Sequence, residues 1–593
     1  MNPLLDGWLV LSQEKWPIFV ILICMSWGLI IIITSLRCLD LELNISEYIS
    51  LAIAGWVLPV FLVSVLIFAL GGILNVRINT QVAIALLVLN ISLLIWANGR
   101  KEKGNSHSFA LTLLALLCIF LLSSFLRLVF IARAPLPLYI DSAEHYQIIQ
   151  NLIKDFKETD AIHHFVWPVP VYYHLGFHLI TAILTATFQL DIARTILVLG
   201  QLIAASTSIP LFFLIRHETG SDTAGLIAIL LGSFGWYMPS FTANWGKYPA
   251  LLSLLTIQFS LSMVYLFGKE KKPHRPFASI GIILISIGTS FLVHTRSIIL
   301  MGIAITAWTL SGWWKLQTLK WRNLFFGFIA SGLIFEAVLI GKNIILNPLF
   351  DPYLGSAIWV TGFVGIFAFF AFKKYPQFSF ACLASIFFLL LGLLTPIPNN
   401  TDLTLLDRPL VEMVLFIPLS LLSGLGWAAL NDFAYIKSNW LRWISTILII
   451  GAIVFHALMN YSFYPSNCCT IVGRDDLVAL DWLNNHTRTA DLIAISSAEL
   501  KITASSQNPQ IAGSDAGVWI MPLTDRHTLL LPHITDFNSP DTLKFVCKEG
   551  ISDIYVGSMA QSFNRKSIEE KPGWYKNILF LPEAQIYQVT GCQ

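Results

Sequence analysis

The chain has 593 residues, of which 56% are hydrophobic, 13% aromatic and 12% charged, with a formal net charge of +2 and a mean hydropathy of +0.70. A soluble domain carries about twice that charged fraction, so the composition points to a polytopic membrane protein. Lys and Arg sit in short clusters rather than over a basic face, which argues against a nucleic-acid partner.

Residues 17 to 36 form the first long apolar run. It exceeds a signal-peptide core and lacks a small-x-small cleavage site, so it reads as a retained transmembrane helix. Further runs lie near 50 to 70, 82 to 97, 109 to 132, 193 to 215, 222 to 241, 249 to 268, 277 to 293 and 297 to 313. Others follow near 323 to 341, 356 to 372, 378 to 395, 409 to 429 and 442 to 462, giving about fourteen expected crossings. The basic segments NGRKEKG, KEKKPHRP, WWKLQTLKWRN and FKK are expected on the cytoplasmic side. Alternation then sends residues 133 to 192, FTANWGKYP, VHTRS, NPLFDPYLG and PIPNNTDLTLLDRP to the other side. Residues 171 to 190 are nearly long enough to span, but His174, His178, Thr181 and Thr185 form one polar stripe. That stripe predicts a helix at the interface or lining a cavity.

From about residue 465 charges and turn residues return, and a soluble domain is expected. RDDLVALDWLNNH and DTLKFVCKEG read as helices, and DLIAISS, ISDIYVGS and QIYQVT as strands, which makes a small α/β domain. The expected fold class is an all-α polytopic membrane domain followed by this C-terminal α/β domain, with boundaries at 1–108, 109–464 and 465–593. Of the eight cysteines, Cys24, Cys38, Cys118 and Cys382 lie in or beside apolar runs. Cys468, Cys469, Cys547 and Cys592 belong to the tail, where an oxidising compartment would allow one disulfide of undetermined pairing.

The loops assigned to the outer side hold Asp141, Glu144, His145, His174, Asn244, Lys247, His294, Arg296, Asn399, Asn400, Asp402, Asp407 and Arg408. Asp141, Glu144 and His145 share one helical face at i, i+3 and i+4. Their spacing fits a general base within about 3 Å of an acceptor proton; it fits equally a helix start with Asp141 as cap. Lys247 stands beside Trp245 and Tyr248, as an anion-binding cation or as an interfacial lysine. The short VHTRS loop holds Arg296 near the hydrocarbon boundary, where the alternative is a snorkelling side chain. Arg408 suits a phosphate, with an internal pair to Glu412 as the alternative. Glu336 and Arg127 lie within apolar runs, a placement that calls for a protein interior or a wet cavity. The HxxxH spacing of His174 and His178 offers two ligands to a divalent metal but lacks the Glu of HExxH, so no cofactor is fixed. No Walker loop, dinucleotide fingerprint or GxSxG elbow occurs.

This layout resembles the membrane glycosyltransferases of the GT-C fold, which include protein O-mannosyltransferases, aminoarabinose transferases and oligosaccharyltransferases. The resemblance covers residues 109 to 593 and rests on an acidic early outer loop, the proline-led PVPVYYHLGFHL segment and a soluble C-terminal domain. It implies that Asp141, with Glu144 as the next candidate, is the catalytic base. It also implies that His145, His174, Asn244, Lys247, His294, Arg296, Asp407 and Arg408 bind substrate. The donor would be a polyprenyl-phosphate-linked sugar, the acceptor a lipid, glycan or protein hydroxyl, and the setting the plasma (inner) membrane with the tail extracytoplasmic. Two departures stand out: the acids are spaced D-x-x-E rather than adjacent, and about three helices precede the module. The rival expectation is a secondary transporter of a polar solute or lipid-linked intermediate, although no repeated halves are visible in the sequence.

Overall fold

The computed structural model describes residues 2–41, 43–74, 78–97, 110–157, 174–269, 275–344, 351–397, 400–433, 439–461, 463–500 and 510–592. Ten helices among these residues are long and apolar enough to cross a membrane, so the chain is built as a multi-pass membrane protein. The sequence pattern led us to expect about fourteen. Part of the difference arises where apolar residues outrun the helix that carries them. In the run 222 to 241, the helix Asp222–Phe234 stops at Gly235, and Pro239 leads into the 3₁₀ stretch Ser240–Trp245. Ile358–Lys374, with 17 residues, is also shorter than the spans around it. The run 193 to 215 is two helices, Ile192–Ser206 and Pro210–Thr219, with Pro210 opening the second where its missing N–H costs nothing.

One apolar core ties the first helices to the rest, because Ile21, Leu51, Trp56 and Val57 belong to the same buried cluster as Leu197, Leu251 and Leu425. Ser50 Oγ donates to the Ile209 carbonyl at 2.7 Å, across two segments that a boundary at residue 108 would separate. The helix Leu175–Phe188 lies inside this core. It is too short to cross, and Leu175 through Thr185 are all buried, so of the two placements its polar stripe allows, the interface and an internal cavity wall, it occupies the bundle interior. Part of the stripe is absorbed locally: Thr181 Oγ1 donates to the Phe177 carbonyl at 2.8 Å.

The bundle has two polar ends. Helix Tyr248–Lys269 has 22 residues, or about 33 Å at the usual rise, and so separates Lys247 from Lys269. At the Lys269 end, Glu218 accepts from Lys269 and Tyr265, while Arg216 pairs with Asp222. Arg127, within a spanning helix, reaches the Ser233 carbonyl at 2.9 Å and lies 4.6 Å from the Tyr461 ring centre.

The tail is a six-stranded sheet with helices. Strand Leu492–Leu500 pairs in parallel with His527–Pro532 and with Ile551–Val556. Ile551–Val556 continues antiparallel to Gln585–Val589, which pairs with Tyr575–Phe580, and Gln510–Gly513 adds an antiparallel strand to Leu492–Leu500. The parallel strands alternate with helices that cover them, as α/β construction requires. A disulfide joins Cys547 to Cys592. The tail seats on the Lys247 end of the bundle, where Leu136, Ala143 and Ala193 share a buried cluster with Leu480, Ile495 and Trp519.

Candidate functional site

The polar end under the tail is assembled from three short segments. The first is the start of the acidic helix Ile140–Lys157. Tyr139, immediately before it, has φ of 65°, a left-handed conformation that an aromatic residue adopts only when held. Its N–H donates to the Cys469 carbonyl at 3.1 Å. Asp141 therefore falls inside the first turn and does not act as its cap. Its carboxylate is ion-paired with the ammonium of Lys247.

The second segment is the turn Ser240–Lys247. A 3₁₀ stretch, Ser240–Trp245, ends at Gly246 with φ of 63°. A Cβ there would meet Ser142 Oγ at 2.6 Å and the Leu138 carbonyl at 3.0 Å. Glycine thus serves both the left-handed turn and the close approach to the acidic helix. The Gly246 carbonyl accepts from His145 Nε2 at 3.0 Å, which fixes that nitrogen as protonated. His145 Nδ1 lies 2.9 Å from His178 Nε2, and His178 Nδ1 lies 2.8 Å from the His174 carbonyl. Asn244 accepts from the Ser466 N–H at 2.7 Å through its side-chain oxygen and donates to the Phe241 carbonyl at 3.3 Å.

The third segment is the loop between helices Pro276–Val293 and Ser297–Leu316. Its His294 packs tilted against His174 with ring centres 4.2 Å apart, and the Thr295 N–H points at His174 Nδ1 from 3.3 Å. Arg296 pairs with Asp407, which also caps helix Arg408–Phe433 by accepting from the Leu410 N–H at 3.1 Å. Asp407 acts electrostatically on Lys247 as well, so the Asp141–Lys247 and Arg296–Asp407 pairs are neighbours.

Burial, followed by the Lys247 charge, pushes His145 down to about 3. Burial, then Arg296 and Lys247, brings His174 down to about 4. The same causes, with His174 itself, hold His294 well below the usual imidazole range. These three rings are neutral at neutral pH. Burial also opposes the Lys247 ammonium, but the Asp141 carboxylate with its hydrogen bond, Asp407 and Tyr139 together raise it above the ordinary lysine value.

Two of the expected site residues have other surroundings. Glu144 is exposed on the acidic helix, and the carboxylate paired with Lys247 is that of Asp141. Arg408 turns along its own helix, its Nε 2.8 Å from Glu412 Oε1; this is the internal pair that its spacing also allowed. Asn399 lies outside the described residues, as does most of the proline-led segment ahead of His174. Among the described residues no group of three or more His, Cys, Asp or Glu could hold a metal ion. His178 Nε2 faces His145 Nδ1 at 2.9 Å while His174 Nδ1 faces Thr295, so the HxxxH pair is turned toward different neighbours.

Beside the Arg296–Asp407 pair lies an apolar groove of about 320 Å³ between helices Ser297–Leu316 and Pro376–Leu394, lined by Ile299, Ile303, Phe388, Leu391 and Leu406. This groove is not legible in the sequence, since its walls come from helices far apart in the chain. The contact of Ser466 and Cys469 with the other two segments was equally hidden.

The arrangement offers two carboxylates and two cations, paired, at the edge of an apolar bundle, with neutral imidazoles behind them. It can bind an anion and take up a proton close by. No protein-family model matches this chain, and no curated protein matches it.

Proposed function

We propose that the protein is an integral membrane glycosyltransferase that moves a sugar from a polyprenyl-phosphate-linked donor to an acceptor hydroxyl, with inversion, on the extracytoplasmic side. The observation that carries this reading is the gathering of Asp141, Lys247, Arg296 and Asp407 from separate segments at one end of the bundle. The groove beside Arg296 supports it, because a donor phosphate at the cations would leave its hydrocarbon chain against Ile299 and Leu391. The Cys547–Cys592 disulfide supports an oxidising compartment for the tail.

In this mechanism the donor phosphate takes over the charges of Lys247 and Arg296, which releases Asp141 from its resting partner. Asp141 then accepts the proton of the acceptor hydroxyl as that oxygen bonds to the anomeric carbon. The carbon–oxygen bond to phosphate breaks, its electron pair stays on the phosphate oxygen, and the two cations stabilise the added charge. A phosphate departs without a general acid, so one carboxylate suffices.

The test is transfer from a labelled polyprenyl-phosphate sugar by purified protein in lipid. Asp141→Asn should lose transfer by a factor of at least about 10² while keeping its fold and membrane insertion. Transfer at the wild-type rate would remove Asp141 as the base.

One observation favours the rival reading, a secondary transporter. Glu336 in helix Leu319–Ile344 is 3% exposed, and neither carboxylate oxygen has a hydrogen-bond partner among the described residues. A buried acid of that kind is a common feature of proton-coupled carriers.

A further inference from the structure

Cys468 and Cys469 are adjacent in the chain, and their sulfurs are joined. The bond closes a small ring that includes the peptide link between them, so the backbone at this point has little freedom. Cys468 is exposed, whereas Cys469 is 3% exposed.

The segment around this ring holds both halves of the candidate site. The Cys469 carbonyl accepts from the N–H of Tyr139, two residues ahead of Asp141. The Ser466 N–H donates to Asn244, three residues ahead of Lys247. Within the segment, the Cys469 N–H and Thr470 Oγ1 both reach the Ser466 carbonyl, at 3.1 Å and 3.0 Å. A stretch of four residues, 466 to 469, therefore links the acidic helix, the lysine turn and the start of the tail. Tyr139 needs such a link, since its left-handed backbone is unfavourable by itself.

We propose that Cys468–Cys469 is a redox-modifiable site that clamps the Asp141–Lys247 pair, and that its reactant is a small dithiol or a dithiol protein. A reductant thiolate attacks the exposed Cys468 sulfur, and the Cys469 thiolate leaves. The second thiol of the reductant then resolves the mixed disulfide. Two electrons pass to the cysteines, the reductant becomes a disulfide, and its two thiol protons end on the Cys468 and Cys469 sulfurs. With the ring open, the segment loses its fixed turn, and the hydrogen bonds to Tyr139 and Asn244 loosen together.

The site rests on these contacts alone and does not depend on what the enzyme transfers. Its test is accordingly hydrogen exchange, read by mass spectrometry on the full-length protein in detergent. Treatment with dithiothreitol should raise exchange in peptides covering 135–145 and 240–250 by about tenfold. Capture of the new thiol pair by phenylarsine oxide, which bridges adjacent sulfurs, should bring protection back. Cys468→Ser should show the raised exchange with and without reductant. That variant keeps Cys547–Cys592, so any contribution from reducing the second disulfide appears in it and can be subtracted. Unchanged exchange in wild type after alkylation proves both thiols free would overturn the proposal. So would alkylation of Cys468 and Cys469 before any reductant is added.

Discussion

Gly246 shows how much of the site depends on single residues. Its left-handed backbone and its contact with Ser142 both exclude a side chain. Gly246→Ala should cost at least about 1–2 kcal/mol from the backbone alone, lower the melting temperature in detergent and reduce transfer. Adding Ser142→Ala should restore part of the loss, because it removes the nearest clashing atom but not the strain. The two arginines make a contrast. Arg296→Ala should leave the fold intact and weaken use of the donor, read as a raised KM. Arg408→Ala should destabilise by about 3 kcal/mol, because it leaves a fully buried Glu412 without its cation. Thermal unfolding and transfer kinetics on the same preparations separate these outcomes. Residue types and spacing named both arginines in advance but could not tell them apart. The distinguishing fact is a partner: Asp407 comes from a distant segment for Arg296, while Glu412 lies one turn along the same helix for Arg408.

Elements were legible where their signal is local. The acidic helix, the apolar runs and five elements of the tail follow from periodicity and turn residues. The buried helix Leu175–Phe188 is left between two placements by the sequence, because polar spacing does not say whether a stripe meets solvent or, as at His145 and His178, another element. Strands His527–Pro532 and Tyr575–Phe580 escaped notice because their burial is irregular rather than alternating. The two halves of the molecule should respond oppositely to acid. His145 and His174 titrate lower folded than unfolded, so the unfolded chain binds more protons below about 6.5. Bundle stability should therefore fall by about 2 kcal/mol per histidine between pH 6.5 and 5. In the tail, burial pushes Asp515 up to about 6, against hydrogen bonds from Ser562 and Gly517. The folded tail then binds the extra proton, and its stability should rise by about 1 kcal/mol from pH 7 to 5. Hydrogen exchange at the two pH values, corrected for intrinsic rates, reads both changes in one sample.

For the whole molecule, composition and charge clusters gave the membrane class and a bundle with two different polar ends. They could not give the count of crossings, which depends on where glycine and proline stop each helix, or the seating of the tail over the Asp141–Lys247 pair. That seating unites the design: a membrane bundle brings Asp141 and two cations to one end, and the C-terminal domain contacts their segments through residues 466–469. The central claim is that this end performs group transfer and does not open a path across the membrane. The most direct measurement uses purified protein in sealed vesicles with a labelled polyprenyl-phosphate sugar and an acceptor on one side. The account predicts sugar on the acceptor and free polyprenyl phosphate in equal amounts, abolished by Asp141→Asn, with no solute movement driven by a proton or sodium gradient. Gradient-driven flux without any transferred sugar would contradict it.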